Sequence, residues 1–66
     1  MDRYQITLEY CNWEDCSQFT FTVYGNTINE AIYAAKVSLY VQVAREIMSL
    51  KSFLDLPDVV NTEIIH

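Results

Sequence analysis

The side chains with chemical reach are few. Cys11 and Cys16 stand five residues apart, a spacing that either closes a disulfide across a hairpin mouth or leaves two free thiols. With no secretory signal, reduced thiols are expected. A structural zinc ion takes four ligands, and beyond these two sulfurs the obvious soft ligand is His66. No metal or cofactor is therefore expected. C-x4-C is also not the C-x-x-C of a redox motif. Ser17, Ser38, Ser49 and Ser52 have no base set near them by a recognisable motif. Glu14-Asp15 is a carboxylate pair, but adjacent loop acids are ordinarily solvated rather than held in the dry pocket that tunes a general acid. A chain with one glycine has no phosphate-cradling loop, and one this short has little room for a substrate pocket. The expectation is a protein that is not an enzyme.

Recognition is the chemistry left. Trp13 lies among Asn12, Glu14 and Asp15, a large aromatic ringed by polar groups, as at binding hot spots. The alternative is that it folds back on the sheet. Glu9, Glu14, Asp15 and Asp2 can form an acidic patch suited to a basic groove, including one that ordinarily holds nucleic acid. Glu9, Trp13, Glu14 and Asp15 are thus the expected partner-binding residues. Four basic residues against nine acidic ones give a net charge of −5. Arg3, Lys36, Arg45 and Lys51 are scattered, so direct nucleic-acid binding, which needs clustered cations, is not expected.

These groups must be positioned by a small α+β scaffold. From Arg3 to Cys11 the chain alternates: Tyr4, Ile6, Leu8 and Tyr10 on one side, Arg3, Gln5, Thr7 and Glu9 on the other. Gln18 to Tyr24 alternates again with Phe19, Phe21 and Val23 inward. Two such runs joined by a short polar loop predict a hairpin of strands 3–11 and 18–24. Thr27-Ile28-Asn29-Glu30 is a capping box in which the Glu30 carboxylate reaches the Thr27 N–H. It opens a helix expected over 28–54, before Pro57. Val59 to Ile65 is β-branched and predicts a third strand over 59–65, with Val60, Thr62 and Ile64 or their alternates inward. A right-handed crossover then gives a single domain, β-β-α-β, with a three-stranded antiparallel sheet of order 2-1-3 and one long helix on one face.

The helix is apolar on more than one side. Ile28, Ile32, Ala35, Leu39, Val43 and Leu50 form the stripe expected to face the sheet. Tyr33, Val37, Tyr40, Val41, Ala44 and Met48 form a second one, joined by Ile47. Twenty-seven helical residues would reach about 40 Å, whereas an eight-residue strand covers roughly 26 Å. The helix must then break near Ser49–Ser52 or project beyond the sheet. An apolar face of this extent usually marks an interface, so Tyr33, Val37, Tyr40, Val41, Ala44 and Met48 are expected as the seam of a homodimer. The alternative is a C-terminal segment folded back over it. No run approaches the ~20 apolar residues that span a bilayer, and Met1 to Gln5 lack a signal peptide's basic region and apolar core. No membrane association is expected, and the expected compartment is the cytoplasm of a bacterial host cell.

Two resemblances add to this. Arg3-Tyr4-Gln5-Ile6-Thr7-Leu8-Glu9 followed by Tyr24-Gly25-Asn26-Thr27-Ile28-Asn29-Glu30-Ala31-Ile32-Tyr33-Ala34-Ala35 resembles the N-terminal part of HicB-type antitoxins. The Pro-Asp-Leu-Pro-Gly stretch of that family is absent. The resemblance implies a small basic ribonuclease toxin as partner, and dimerisation. The layout of a short, acidic β-β-α-β chain also looks like the small inhibitors carried by phages, anti-CRISPR proteins among them. That likeness implies a larger protein or protein–nucleic-acid complex as partner. The function expected first is a non-catalytic, phage-encoded antagonist of a host defence (CRISPR-type) nuclease complex. HicB-like neutralisation of a ribonuclease toxin and a structural homo-oligomeric phage component are the alternatives.

Overall fold

Strand β1 (Asp2–Cys11) forms the centre of the sheet in the computed structural model, which describes residues 1–66. β2 (Cys16–Gly25) and β3 (Asp58–Ile65) flank it, both antiparallel, in the order β2-β1-β3. The fold is α+β with β-β-α-β order, as expected. Alternation explains the central strand. Tyr4, Ile6 and Leu8 are buried on one face, opposite Val23, Phe21 and Phe19 of β2. On the open face Thr7 and Thr20, cross-strand partners, hydrogen-bond through their hydroxyls at 3.0 Å.

Helix α1 (Ile28–Val43) packs on β2 and β1. Thr27 caps it, its hydroxyl accepting from the Glu30 N–H at 3.2 Å. The Glu30 carboxylate reaches back one residue further than expected, to the Asn26 N–H at 3.0 Å. Gly25 lets the strand end approach the first turn. A Cβ there would sit 3.0 Å from both the Ala31 nitrogen and the Thr27 carbonyl oxygen. The buried helical residues are Ala31, Ala35 and Leu39. Small residues bring the helix close, while Ile28, expected on the covered stripe, is 42% exposed.

The expected helix over 28–54 is two helices. α1 ends at Val43, Ala44 to Met48 turn, and α2 (Leu50–Phe53) starts afresh from Ser49, whose hydroxyl accepts from the Ser52 N–H. The cause is tertiary. Phe53 is fully buried, with ring centroids 5.3 Å from Tyr10 and 5.5 Å from Tyr40. A straight helix would carry Phe53 off the end of the sheet. Burying such a side chain stabilises by about 1.5–3 kcal/mol, and the helical hydrogen bonds given up at the break are partly replaced, by the Ile47 and Met48 N–H groups on the Ala44 carbonyl and by the Ser49 cap. The Tyr40 hydroxyl fixes the reversal by donating to the Met48 carbonyl at 2.6 Å.

β3 pairs with β1 from Arg3↔Ile65 to Glu9↔Asp58, with an irregularity opposite Thr7/Leu8 that sets Val59 against Leu8. Thr62 and Ile64 share the covered face of Ile6 and Tyr4, as expected. Yet Val59, Val60 and Ile64 are 40%, 49% and 49% exposed, because α1 lies over the other two strands.

Candidate recognition site at the hairpin tip

The tip is built by the four residues Asn12, Trp13, Glu14 and Asp15. Asn12 does most of the folding. Its side-chain carbonyl accepts from the Glu14 N–H at 2.8 Å and the Asp15 N–H at 2.9 Å, and its own N–H donates to the Asp15 carbonyl at 2.9 Å. This Asx-type turn uses up the donors that a floppy loop would leave to water. Immediately below, Cys11 and Cys16 face each other across the ladder and are joined by a disulfide. The expectation of reduced thiols is thereby corrected. The two cysteines are directly opposed on the last rung of the ladder with Cα atoms 3.9 Å apart, a closeness their spacing in the sequence allows but does not require.

The structure gathers all four expected site residues at this end. Trp13 is 91% exposed; it does not fold back on the sheet. Glu14 and Asp15 flank it, exposed. Glu9 is half-buried on the open face, within 4.8 Å of both sulfurs. Asp2 does not join them. It pairs with Gly25 at the other end of β1, some ten residues and roughly 30 Å of strand away. Asp58, not anticipated, does join, standing directly across from Glu9 on β3. Only the paired register reveals it, and that depends on a bulge with no sequence signature. Between Tyr4 and Asn26 the chain carries no Lys or Arg, so the acids of the hairpin have no cation on it to neutralise them.

The three donors Glu9, Cys11 and Cys16 are not a thiolate set while the sulfurs are bonded to each other, since a metal-ligating cysteine must be free and deprotonated. The one depression in the surface, about 310 Å³, is lined by the single segment Val41–Ile47 at the end of α1. It brings no nucleophile and base together.

The expected dimer seam divides in two. Tyr40 and Met48 pack toward the core and Ala44 is buried within the chain, covered by the return through α2. Tyr33 and Val41 remain 52% and 48% exposed, Val37 is half-buried, and Ile47 is 70% exposed. The fold-back therefore covers one half of the stripe and leaves the other outward. No helix is long and apolar enough to cross a membrane. No family model, curated protein or solved structure matches the chain.

Proposed function

We infer that the chain is a non-catalytic binding protein whose hairpin tip docks into a basic surface of a larger protein. The favoured target is a nucleic-acid-handling complex such as a host defence nuclease, which the chain would block as a phage-encoded antagonist. One observation carries this reading. Trp13, the chain's single tryptophan, stands 91% exposed on a turn braced by a disulfide and three hydrogen bonds and flanked by acids. An exposed tryptophan gains most of its burial energy on binding. A rigid tip loses little conformational entropy when it docks. Glu9, Glu14 and Asp15 steer the encounter with a cationic groove. In a reducing cytoplasm the exposed disulfide is open to reduction, and the Asx turn and the strand pairing then hold the tip alone.

The test is direct. The purified chain is added to a reconstituted CRISPR-type nuclease complex, and substrate cleavage and binding are followed. Trp13→Ala is expected to weaken binding by at least about 2 kcal/mol, the hot-spot scale. Glu9→Ala/Glu14→Ala/Asp15→Ala is expected to weaken it and to flatten its salt dependence. Inhibition that survives both variants, folded, would remove the tip from the mechanism.

A further inference from the structure

The outer edge of β3 is unpaired and presents exposed apolar side chains. Val60 and Ile64 are each 49% exposed. Ile64 stands next to buried Tyr4 in the register, so the inner row of the sheet runs uncovered into solvent. Exposed edges are ordinarily protected by Pro, by charged side chains (Lys above all), by bulges or by charges turned inward. β3 contains neither Pro nor Lys. Its acids, Asp58 and Glu63, face the open side with Glu9 and Gln5. The bulge falls at Val60, which has no partner on β1; Asn61 to Ile65 pair regularly, and Val60, two residues before Thr62, stays on the inner side by alternation.

We propose that this edge pairs with the same edge of a second copy, antiparallel about a two-fold axis through Thr62, to make a continuous six-stranded sheet. The strand's own sequence selects that occupant and that register. Opposite residues of an antiparallel pair share a face, and a two-fold axis makes the contacts reciprocal. Centred on Thr62, Val60 meets Ile64 of the copy twice on the inner face. Asn61 meets Glu63 twice on the open face, amide to carboxylate, and Thr62 meets itself. Each is a favourable cross-strand pair. Asp58 comes toward His66 of the copy at either end. The neighbouring registers are worse. Centring on Asn61 sets Glu63 against Val59 and Asp58 against Ile64. Centring on Glu63 sets two carboxylates face to face, which is destabilising.

Charge agrees with this arrangement. Each copy carries −5, and antiparallel pairing sends the two acidic hairpin tips to opposite ends of the joined sheet, where screening separates them. The pairing does not depend on what the tips bind. It also differs from a seam on the outer face of α1, which has no comparable self-complementary pattern.

The experiment is solution mass by light scattering across a concentration range, with circular dichroism as the check on folding. The wild-type chain is expected to dimerise. Val60→Lys/Ile64→Lys is expected to raise the dimer dissociation constant at least about tenfold, since it removes two reciprocal apolar pairs. Val41→Glu, on the outer face of α1, is expected to leave the dimer intact. Thr62→Cys is expected to yield, on air oxidation, a covalent dimer linked 62 to 62 by peptide mapping, while Thr20→Cys on the β2 edge does not. A wild-type monomer at every concentration overturns the proposal. So does a dimer that resists the lysines, or one split by Val41→Glu alone. If the lysine variant does not fold, the absence of a 62–62 link decides against it.

Discussion

The two margins of the sheet are both strands rich in β-branched or aromatic residues, yet they end in different surroundings. Phe19, Phe21 and Val23 of β2 are half-buried under α1. Val59, Val60 and Ile64 of β3 are 40–49% exposed. The connections explain the difference. Only Asn26 and Thr27 separate β2 from α1, so the helix has to begin over β2. Sixteen helical residues then advance about 24 Å, and the chain turns back to bury Phe53 beneath Tyr40 and beside Tyr10. It enters β3 through buried Pro57, and no helix lies over that strand. Alternation therefore announces which face of a strand is apolar. Whether anything covers that face is decided by connection lengths and by where one large side chain anchors the return.

That anchor is the place to break the comparison most severely. Phe53→Ala removes a fully buried ring that touches Tyr10 and Tyr40, and deletions of this kind cost about 3–5 kcal/mol. A chain of 66 residues has a total stability of roughly 3–10 kcal/mol on the usual per-residue scale. The variant should sit at the edge of unfolding, its urea midpoint lowered or its transition lost. The single tryptophan is exposed at the tip and does not report on the core, so far-UV circular dichroism is the readout. A loss under about 1 kcal/mol would mean that Phe53 does not hold the return.

A matched pair of truncations sharpens the contrast between the margins themselves. Phe21→Ala, on the covered margin, should cost roughly 2–3 kcal/mol, somewhat below the value for a fully buried ring. Ile64→Ala, half exposed, should cost under about 1 kcal/mol in dilute solution. Concentration separates them further. The Phe21→Ala deficit should be the same at all concentrations, while that of Ile64→Ala should grow as β3 edges pair, because association stabilises the folded state by mass action. Equal, concentration-independent losses would show that the two margins are buried alike.

Much of the architecture is legible in the amino-acid sequence. The hairpin, the strand order and the Thr27 cap follow from period-two alternation, crossover handedness and capping chemistry. Trp13 among acids stands out by type, but its type does not decide between a ring turned outward and one folded back on the sheet. The helix break is legible only as one of two alternatives. The length of the helix against the strands calls for a break near Ser49–Ser52 or a projection beyond the sheet, and Ala31 to Leu56 contains neither Gly nor Pro to mark the boundary. Its one local sign, Ser49 three residues before Ser52, reads as part of a polar face rather than as a second N-cap. The disulfide escapes sequence reasoning for a different reason. The spacing of Cys11 and Cys16 allows it, and an inference about compartment displaces the geometric one.

The two caps give the smallest expected effect and the finest cut between the two halves of the helical layer. Thr27→Ala and Ser49→Ala each remove a hydroxyl that accepts from a backbone N–H at 3.2 Å, a loss of about 1 kcal/mol in either case. The equal cost should be felt differently. α1 has sixteen residues on the sheet, and its start is also held by Glu30 on Asn26 and by the close approach at Gly25, so loss of Thr27 should fray one turn. α2 has four residues, too few to persist without outside support, and Ser49 holds it in the orientation that delivers Phe53. Ser49→Ala should therefore weaken the near-UV dichroism of Tyr10, Tyr40 and Phe53 while far-UV helicity barely changes, and Thr27→Ala should do the reverse. If both variants dim the aromatic signal equally, the return through α2 is not an independent unit, and the covered and uncovered margins are set by one cooperative helix after all.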